Sequence, residues 1–202
     1  MGYKRREIEQ GQTCHLTSQC HGKQYLMKLQ KHKILFEKIL TWVIEQYPCE
    51  LIGYVIMDNH FHLIIRSVEN GHSISKIMQV FKSLYAREYN KSCNRSGAFW
   101  HCRFNDVVVE IQTDPKRYFK RILWYLAFNP IRAFLEKNPR NYKFSSINVY
   151  LDKNYEPRIP ITYHEIYLEL GNTFEDRLQR LLDYEEIYKG VLLKKYKIVV
   201  EY

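Results

Sequence analysis

The stretch from residue 51 to residue 67 constrains the fold of this chain more than any other feature of its sequence. Residues 51–57 are mostly apolar and β-branched, Asp58 and Asn59 are turn formers, and residues 60–67 alternate in character. This pattern predicts a β-hairpin, although its turn lacks the glycine of the commonest hairpin type. The chain must therefore build a sheet with at least one buried face.

The remaining segments extend the hairpin to an antiparallel-rich sheet with helices. In chain order they predict a strand at 13–18, a helix at 24–46, the hairpin, a helix from its N-cap Ser73 to about Asn90, a strand at 104–110, and a helix from Asp114 and Pro115 to Asn129 and Pro130, where the proline should kink or end it. This order predicts an α+β, ferredoxin-like (split βαβ) fold, with an antiparallel-rich sheet and helices on one face. We expect residues 1–151 to form this domain and residues 152–202 to add a C-terminal accessory segment that is helical over 174–195.

Composition limits the classes of function. Among 202 residues the formal net charge is +9, which favours a polyanionic partner because Lys and Arg displace phosphate counterions. The five cysteines form no Cys-x-x-Cys pair, so neither a zinc ribbon nor a redox motif is present. The first ten residues lack the apolar stretch of a signal peptide, and no segment has the roughly 18 apolar residues of a membrane span. We expect a cytoplasmic protein with no membrane partner.

The second strand of the hairpin carries two histidines on one face. Residues two apart project from the same side of a strand, so His60 and His62 lie side by side while Phe61 and Leu63 point into the core. Two imidazoles at this spacing can chelate one divalent ion. A His-x-His pair without other context more often lies on a solvated sheet face and has no ligand. Two polar rings in an otherwise apolar strand favour the first interpretation.

Residues 53–66 resemble the histidine-hydrophobic-histidine signature of the HUH endonucleases, and in particular the small tyrosine transposases that include the REP-associated ones. Residues 97–104 match in part the Gly-x-Leu-Trp-Gln-x-Arg-Phe segment of that family, and Val109 and Glu110 match the strand end that follows. Residues 125–133 match its Tyr-x-x-x-Asn-Pro-x-Arg-Ala motif. The three motifs occur in order and cover roughly residues 13–151.

The resemblance implies single-stranded DNA cleavage and rejoining through a 5′-phosphotyrosine link, with Tyr125 as the nucleophile. Tyr125 and Asn129 are four residues apart and so share a helical face, from which both could meet the histidines. His60, His62 and the Asn129 side-chain oxygen would then be ligands for Mg²⁺ or Mn²⁺. Tyr118, seven residues before Tyr125, is the nearest alternative nucleophile.

The sequence departs from the family pattern at three positions: Asp58 replaces a frequent proline, His101 the usual glutamine and Phe134 a frequent glycine. Asp58 could add a charge beside the metal. We interpret His101 as DNA-contacting or structural, and His15 as an ordinary sheet histidine.

Basic residues gather near the predicted nucleophile and predict a phosphate track, with aromatic side chains available to stack on unpaired bases. The predicted DNA-binding residues are Lys82, Arg87, Arg95, Trp100, Arg103, Arg117, Arg121 and Arg132, with Tyr89 and Phe99 as further stacking candidates.

Other functions remain open. The runner-up is a domesticated relative that binds hairpin DNA or RNA without cutting it. An RNA-binding module of the RRM type would need an aromatic strand motif that is not found, and an unrelated metal-dependent hydrolase would leave the basic excess unexplained. The resemblance implies single-stranded or hairpin DNA as partner, and it fits either a monomer or a homodimer.

Overall fold

A four-stranded antiparallel sheet forms the centre of the computed structural model, which describes residues 8–200. Its strands are β1 (Thr13–Gln19), β2 (Cys49–Ile56), β3 (His60–Ser67) and β4 (Asn105–Val108), in the order β2-β3-β1-β4. Every neighbouring pair is antiparallel. The predicted hairpin and the α+β class with an antiparallel sheet are confirmed. Most of the N-terminal segment inspected for a signal peptide lies outside the described residues.

Six α-helices accompany the sheet: α1 (Gln30–Gln46), α2 (Ile74–Ser92), α3 (Pro115–Arg132), α4 (Asn148–Leu151), α5 (Glu165–Leu168) and α6 (Phe174–Tyr196), counted over residues 8–200. The predicted caps are confirmed, since the Ser73 side chain accepts from the Lys76 amide and that of Asp114 from the Arg117 amide. These bonds satisfy amides that the first helical turn leaves unpaired.

Two predicted helix boundaries were wrong, and the fourth strand, predicted over 104–110, is limited to Asn105–Val108. The first helix begins at Gln30 and not at residue 24, because the backbone is extended at both Gln24 and Leu29. Helix α3 continues through Pro130 to Arg132. A proline removes one hydrogen bond from the preceding turn, and so near the C-terminal end of a helix little further bonding is lost.

Helices cover both faces of the sheet, so the expectation of helices on one face was wrong. Phe61 and Leu63 pack with α1 and α2 in one core, whereas Val55 and Ile64 pack with α3 and α6 in a second core. The reason is that β2 and β3 carry apolar side chains on both faces, and each apolar face needs a cover.

The C-terminal segment packs directly against α3. The Trp124 indole N–H donates to the Leu181 carbonyl at 3.0 Å, and Arg140 pairs with the buried Glu185 at 2.7 Å. The predicted domain boundary at residue 151 stays a prediction. Within residues 8–200, no helix is both long enough and apolar enough to cross a membrane.

Candidate active site

A cleft of about 230 Å³ opens on the face of β3 that carries the histidines, between that strand and α3. His60, His62 and Tyr125 line it. The ring centroids of His60 and His62 are 5.2 Å apart, and the Tyr125 ring lies 5.1 Å from that of His62, nearly perpendicular to it. The predicted histidine pair and the predicted nucleophile therefore face one another within a single chain.

The imidazole of His62 is fixed at one nitrogen and unpaired at the other. Its Nδ1 lies 2.8 Å from the Thr17 hydroxyl and 3.0 Å from His15 Nε2. Its Nε2 is buried and has no hydrogen-bond partner among the described residues. A buried polar atom without a partner is rare and requires an explanation. An imidazole held through its second nitrogen is the usual arrangement of a metal-binding histidine.

Asn129 connects the helix of the tyrosine to the second histidine. Its side-chain Nδ2 donates to the Tyr125 carbonyl at 2.8 Å, and the side chain also hydrogen-bonds to His60. The His60 Nδ1 lies 2.7 Å from the Asn59 side-chain oxygen. Because the amide nitrogen is engaged by the helix, the amide oxygen is the group that meets His60.

Burial keeps the cleft imidazoles neutral. It lowers the pKa of His15 to about 4. The pKa of His62 is held well below its usual value by burial first, and then by electrostatic interaction with His15, His60 and Arg132. Burial also lowers the pKa of His60. A neutral imidazole has a lone pair available for a metal ion, so protons do not compete for these nitrogens at pH 7.

Arg132 lies against the predicted nucleophile. Its guanidinium carbon is 5.1 Å from the centroid of the Tyr125 ring and 4.4 Å from that of Tyr196, so the guanidinium lies against both rings. Its Nε and Nη1 are buried and have no hydrogen-bond partner among the described residues. Two buried cationic donors beside a tyrosine form a site for an anion such as phosphate.

The other predicted DNA-binding residues lie in several places. Arg103 lines the cleft. Lys82 is nearly buried and donates to the Cys102 carbonyl, while the Trp100 indole N–H donates to the Lys82 carbonyl. Both therefore help to hold residues 100–104 against α2. Tyr89 and Phe99 are buried in the core, so the prediction that they stack on bases was wrong.

Arg87 is exposed beside Glu88, to which it is paired, and Arg95 donates to the side chain of Asn90 and the carbonyl of Ala98. Neither lines the cleft. Arg117 and Arg121 are exposed on α3, where they border a groove against α6.

Tyr118 lines that α3–α6 groove and not the cleft of the histidines. Asp58 is buried and bonded to Lys33 at 2.6 Å, so its charge is compensated on the side of α1. His101 is exposed at the cleft wall.

Sequence reasoning missed the support that β1 gives to His62. His15 was interpreted as an ordinary sheet histidine, and Thr17 was not considered. The alternation of β1 already puts these two residues on one face, but the pairing of Thr17 with His62 requires the strand register. No group of three or more His, Cys, Asp and Glu side chains in residues 8–200 is arranged to hold a metal ion. A metal in the cleft would thus depend on the Asn129 amide oxygen as well as the histidines.

Comparison with known proteins places these features in a family context. The family described as "Transposase IS200 like" matches residues 10–121. A putative REP-associated tyrosine transposase of Haemophilus influenzae is 22% identical over 113 residues, which are 52% of this chain and 62% of that protein. The chain thus spans less than two thirds of that relative's length.

A solved structure of a REP-associated tyrosine transposase bound to a REP hairpin superposes with a TM-score of 0.62 at 19% identity. The superposition covers 80% of this chain and 92% of that one. The two chains share a fold.

Proposed function

The chain belongs to the IS200-like transposase family, and from that premise we propose that it cleaves and rejoins single-stranded DNA at hairpin sites through a covalent link to Tyr125. The observation that carries this proposal is the contact between the Tyr125 ring and His62, whose buried Nε2 has no partner among the described residues. A nucleophile and a ligand-ready imidazole thus occupy one cleft.

In the proposed reaction the phenolic oxygen of Tyr125 attacks the scissile phosphorus. The O–P bond to tyrosine forms, the bond from phosphorus to the 3′ oxygen breaks, and the phenolic proton is lost while the leaving 3′ oxygen gains a proton. The products are a 5′-phosphotyrosine and a free 3′-hydroxyl, and attack by a 3′-hydroxyl on the phosphotyrosine reverses the step.

A divalent metal fits the donor set of the cleft. His60, His62 and the amide oxygen of Asn129 would hold Mg²⁺ or Mn²⁺, and the unpartnered His62 Nε2 supports this assignment. When bound, the metal would act as a Lewis acid toward the scissile phosphate.

Residues of the chain itself would bind the phosphate and position Tyr125. Arg132 would donate from its two unpartnered buried nitrogens to non-bridging phosphate oxygens, in a site where charge-assisted bonds are strong. Asn129 ties the Tyr125 turn of α3 to His60. Because the tyrosine and the histidines meet within one chain, we propose that each subunit contains a complete site.

Hairpin DNA is the proposed substrate. The solved relative is bound to a REP hairpin, and the curated relative is described as REP-associated. The net charge of +9 suits a nucleic acid. A single-stranded segment beside the hairpin would carry the scissile phosphate, because the cleft of about 230 Å³ admits a single nucleotide more readily than a duplex.

The test compares Tyr125→Phe with its matched control Tyr118→Phe. Hairpin oligonucleotides labelled at the 3′ end are incubated with Mn²⁺ and run on denaturing gels. We expect a labelled covalent protein band for the native chain and for Tyr118→Phe, and none for Tyr125→Phe. A 5′-labelled strand should instead give a shorter free product. A band of normal intensity with Tyr125→Phe would refute the assignment.

The same assay separates cleavage from binding alone. We expect the covalent band to disappear with a chelator and to be much weaker on a perfect duplex than on the hairpin. Tight hairpin binding without a covalent band on any oligonucleotide would instead identify a hairpin-binding protein that does not cut.

A further inference from the structure

A second groove, of about 490 Å³, lies between α3 and α6. Its lining combines basic and aromatic side chains: Arg117, Tyr118, Arg121, Tyr184, Tyr188 and Lys195. Asp114 also lines it, but the Asp114 carboxylate already accepts the Arg117 amide as the N-cap of α3. The groove therefore presents a net positive charge beside tyrosine rings.

Two tyrosines that line this groove interact with the proposed nucleophile, which lines the histidine cleft. The charge of Tyr125 acts on both Tyr118 and Tyr188, and the charge of Arg132 acts on Tyr188 more strongly still. Residues three and four apart adjoin on a helix surface, so Tyr118, Arg121 and Tyr125 follow one another along α3. The groove and the histidine cleft thus lie next to each other along that helix, with Tyr118 in one and Tyr125 in the other.

The lining also offers apolar contact. Ile187 and Val191 of α6 border the groove with 58% and 45% of their surface exposed. Large aliphatic side chains at that exposure favour a ligand that brings flat apolar surface, and the neighbouring arginines favour one that brings negative charge. Nucleotides of a single strand bring both. The volume is within the range of about 300–1,000 Å³ that is usual for small ligands, which suits one or two nucleotides and not a duplex.

We propose that the α3–α6 groove binds unpaired nucleotides that adjoin the scissile phosphate, with Arg117 and Arg121 on phosphates and bases against Tyr118 and the apolar side chains of α6. This inference rests on the proposed function, because it takes Tyr125 as the residue that attacks the scissile phosphate. It gives the C-terminal helix a direct part in holding the substrate strand.

The test measures how salt changes the binding of a fluorescent 12-residue oligothymidylate, which forms no hairpin. Each phosphate contact with a single strand contributes about 0.7 to the slope of log affinity against log salt. In a Tyr125→Phe background, Arg117→Gln/Arg121→Gln should therefore lower that slope by about 1.4. A loss of about 1.4 from the slope corresponds to about 25-fold weaker binding at 0.1 M salt.

The matched control is Lys31→Gln/Lys38→Gln, which removes the same charge from exposed positions of α1, across the sheet from α3. We expect the control to keep the native slope. Equal slopes for the two double variants, or no binding of the oligothymidylate by the parent, would overturn the proposal.

Photocrosslinking supplies the location. An oligothymidylate with 5-iododeoxyuridine should crosslink to peptides that contain Tyr118 or residues 184–191. Crosslinks confined to residues 73–104 would overturn the proposal. The two proposals can fail separately. A native slope in the groove variant together with a covalent Tyr125 band would refute the groove and not the cleavage. A lowered slope with no covalent band would refute the cleavage and not the groove.

Discussion

Acid should destabilise the metal-free protein through the histidine that supports the site. His15 has its pKa lowered by burial to about 4, whereas an imidazole in an unfolded chain titrates near 6.5. Between these two pKa values the unfolded state binds a proton that the folded state does not bind, so the free energy of unfolding falls as the pH falls. From pH 7 to pH 5 this one group removes about 2 kcal/mol, since each pH unit below 6.5 is worth about 1.4 kcal/mol.

The measurement is urea unfolding of the native chain and His15→Gln at pH 7 and pH 5, in chelator. The stability lost between the two pH values should be about 2 kcal/mol smaller in His15→Gln. The groups that remain, His60 and His62 among them, contribute to both proteins and largely cancel. His72→Gln, at an exposed position, serves as the matched control and should keep the native difference. If His15→Gln loses as much stability as the native chain, His15 is not buried as a neutral ring.

Two further substitutions test the cleft by its chemistry. Thr17→Val removes the hydroxyl that lies 2.8 Å from His62 Nδ1. We expect the Mn²⁺ concentration for half-maximal adduct formation to rise about 10- to 100-fold. An unchanged Mn²⁺ concentration would contradict the role of Thr17. Arg132→Gln removes the guanidinium beside Tyr125 and its two buried donors. Single-turnover adduct formation at saturating Mn²⁺ should slow by about 10²- to 10³-fold, and Arg132→Lys should be intermediate. A native rate would show that the two buried donors do not contact the phosphate.

The elements whose rules are local could be predicted from the sequence. Alternation in residues 60–67 was enough to place His60 and His62 on one face, and the side chains of Ser73 and Asp114 mark helix starts because capping needs only the next few amides. The spacing of Tyr125 and Asn129 likewise fixed their common face. Each of these inferences concerns residues within a few positions of each other.

What the sequence could not supply depends on contacts between distant segments. Thr17 meets His62 only because β1 pairs with β3 in one register. Phe99 and Tyr89 were taken for base-stacking residues because an aromatic side chain in a basic region has the same local pattern whether it is buried or exposed. The second layer of helices was missed because strands with two apolar faces do not reveal which helices cover them.

The alternation of side chains along β3 limits how the protein could lose its catalytic activity. Its inward residues hold one hydrophobic core and its alternate residues supply the imidazoles, so a one-residue insertion or deletion between Asp58 and Asn59 that shifted the register would exchange the two sets. Phe61 would then turn toward Tyr125 and the histidines toward the packed interior. Such a change would destroy folding along with catalysis. We therefore expect an inactive but folded descendant to arise by substitution, and replacement of the histidines themselves would be its most direct mark.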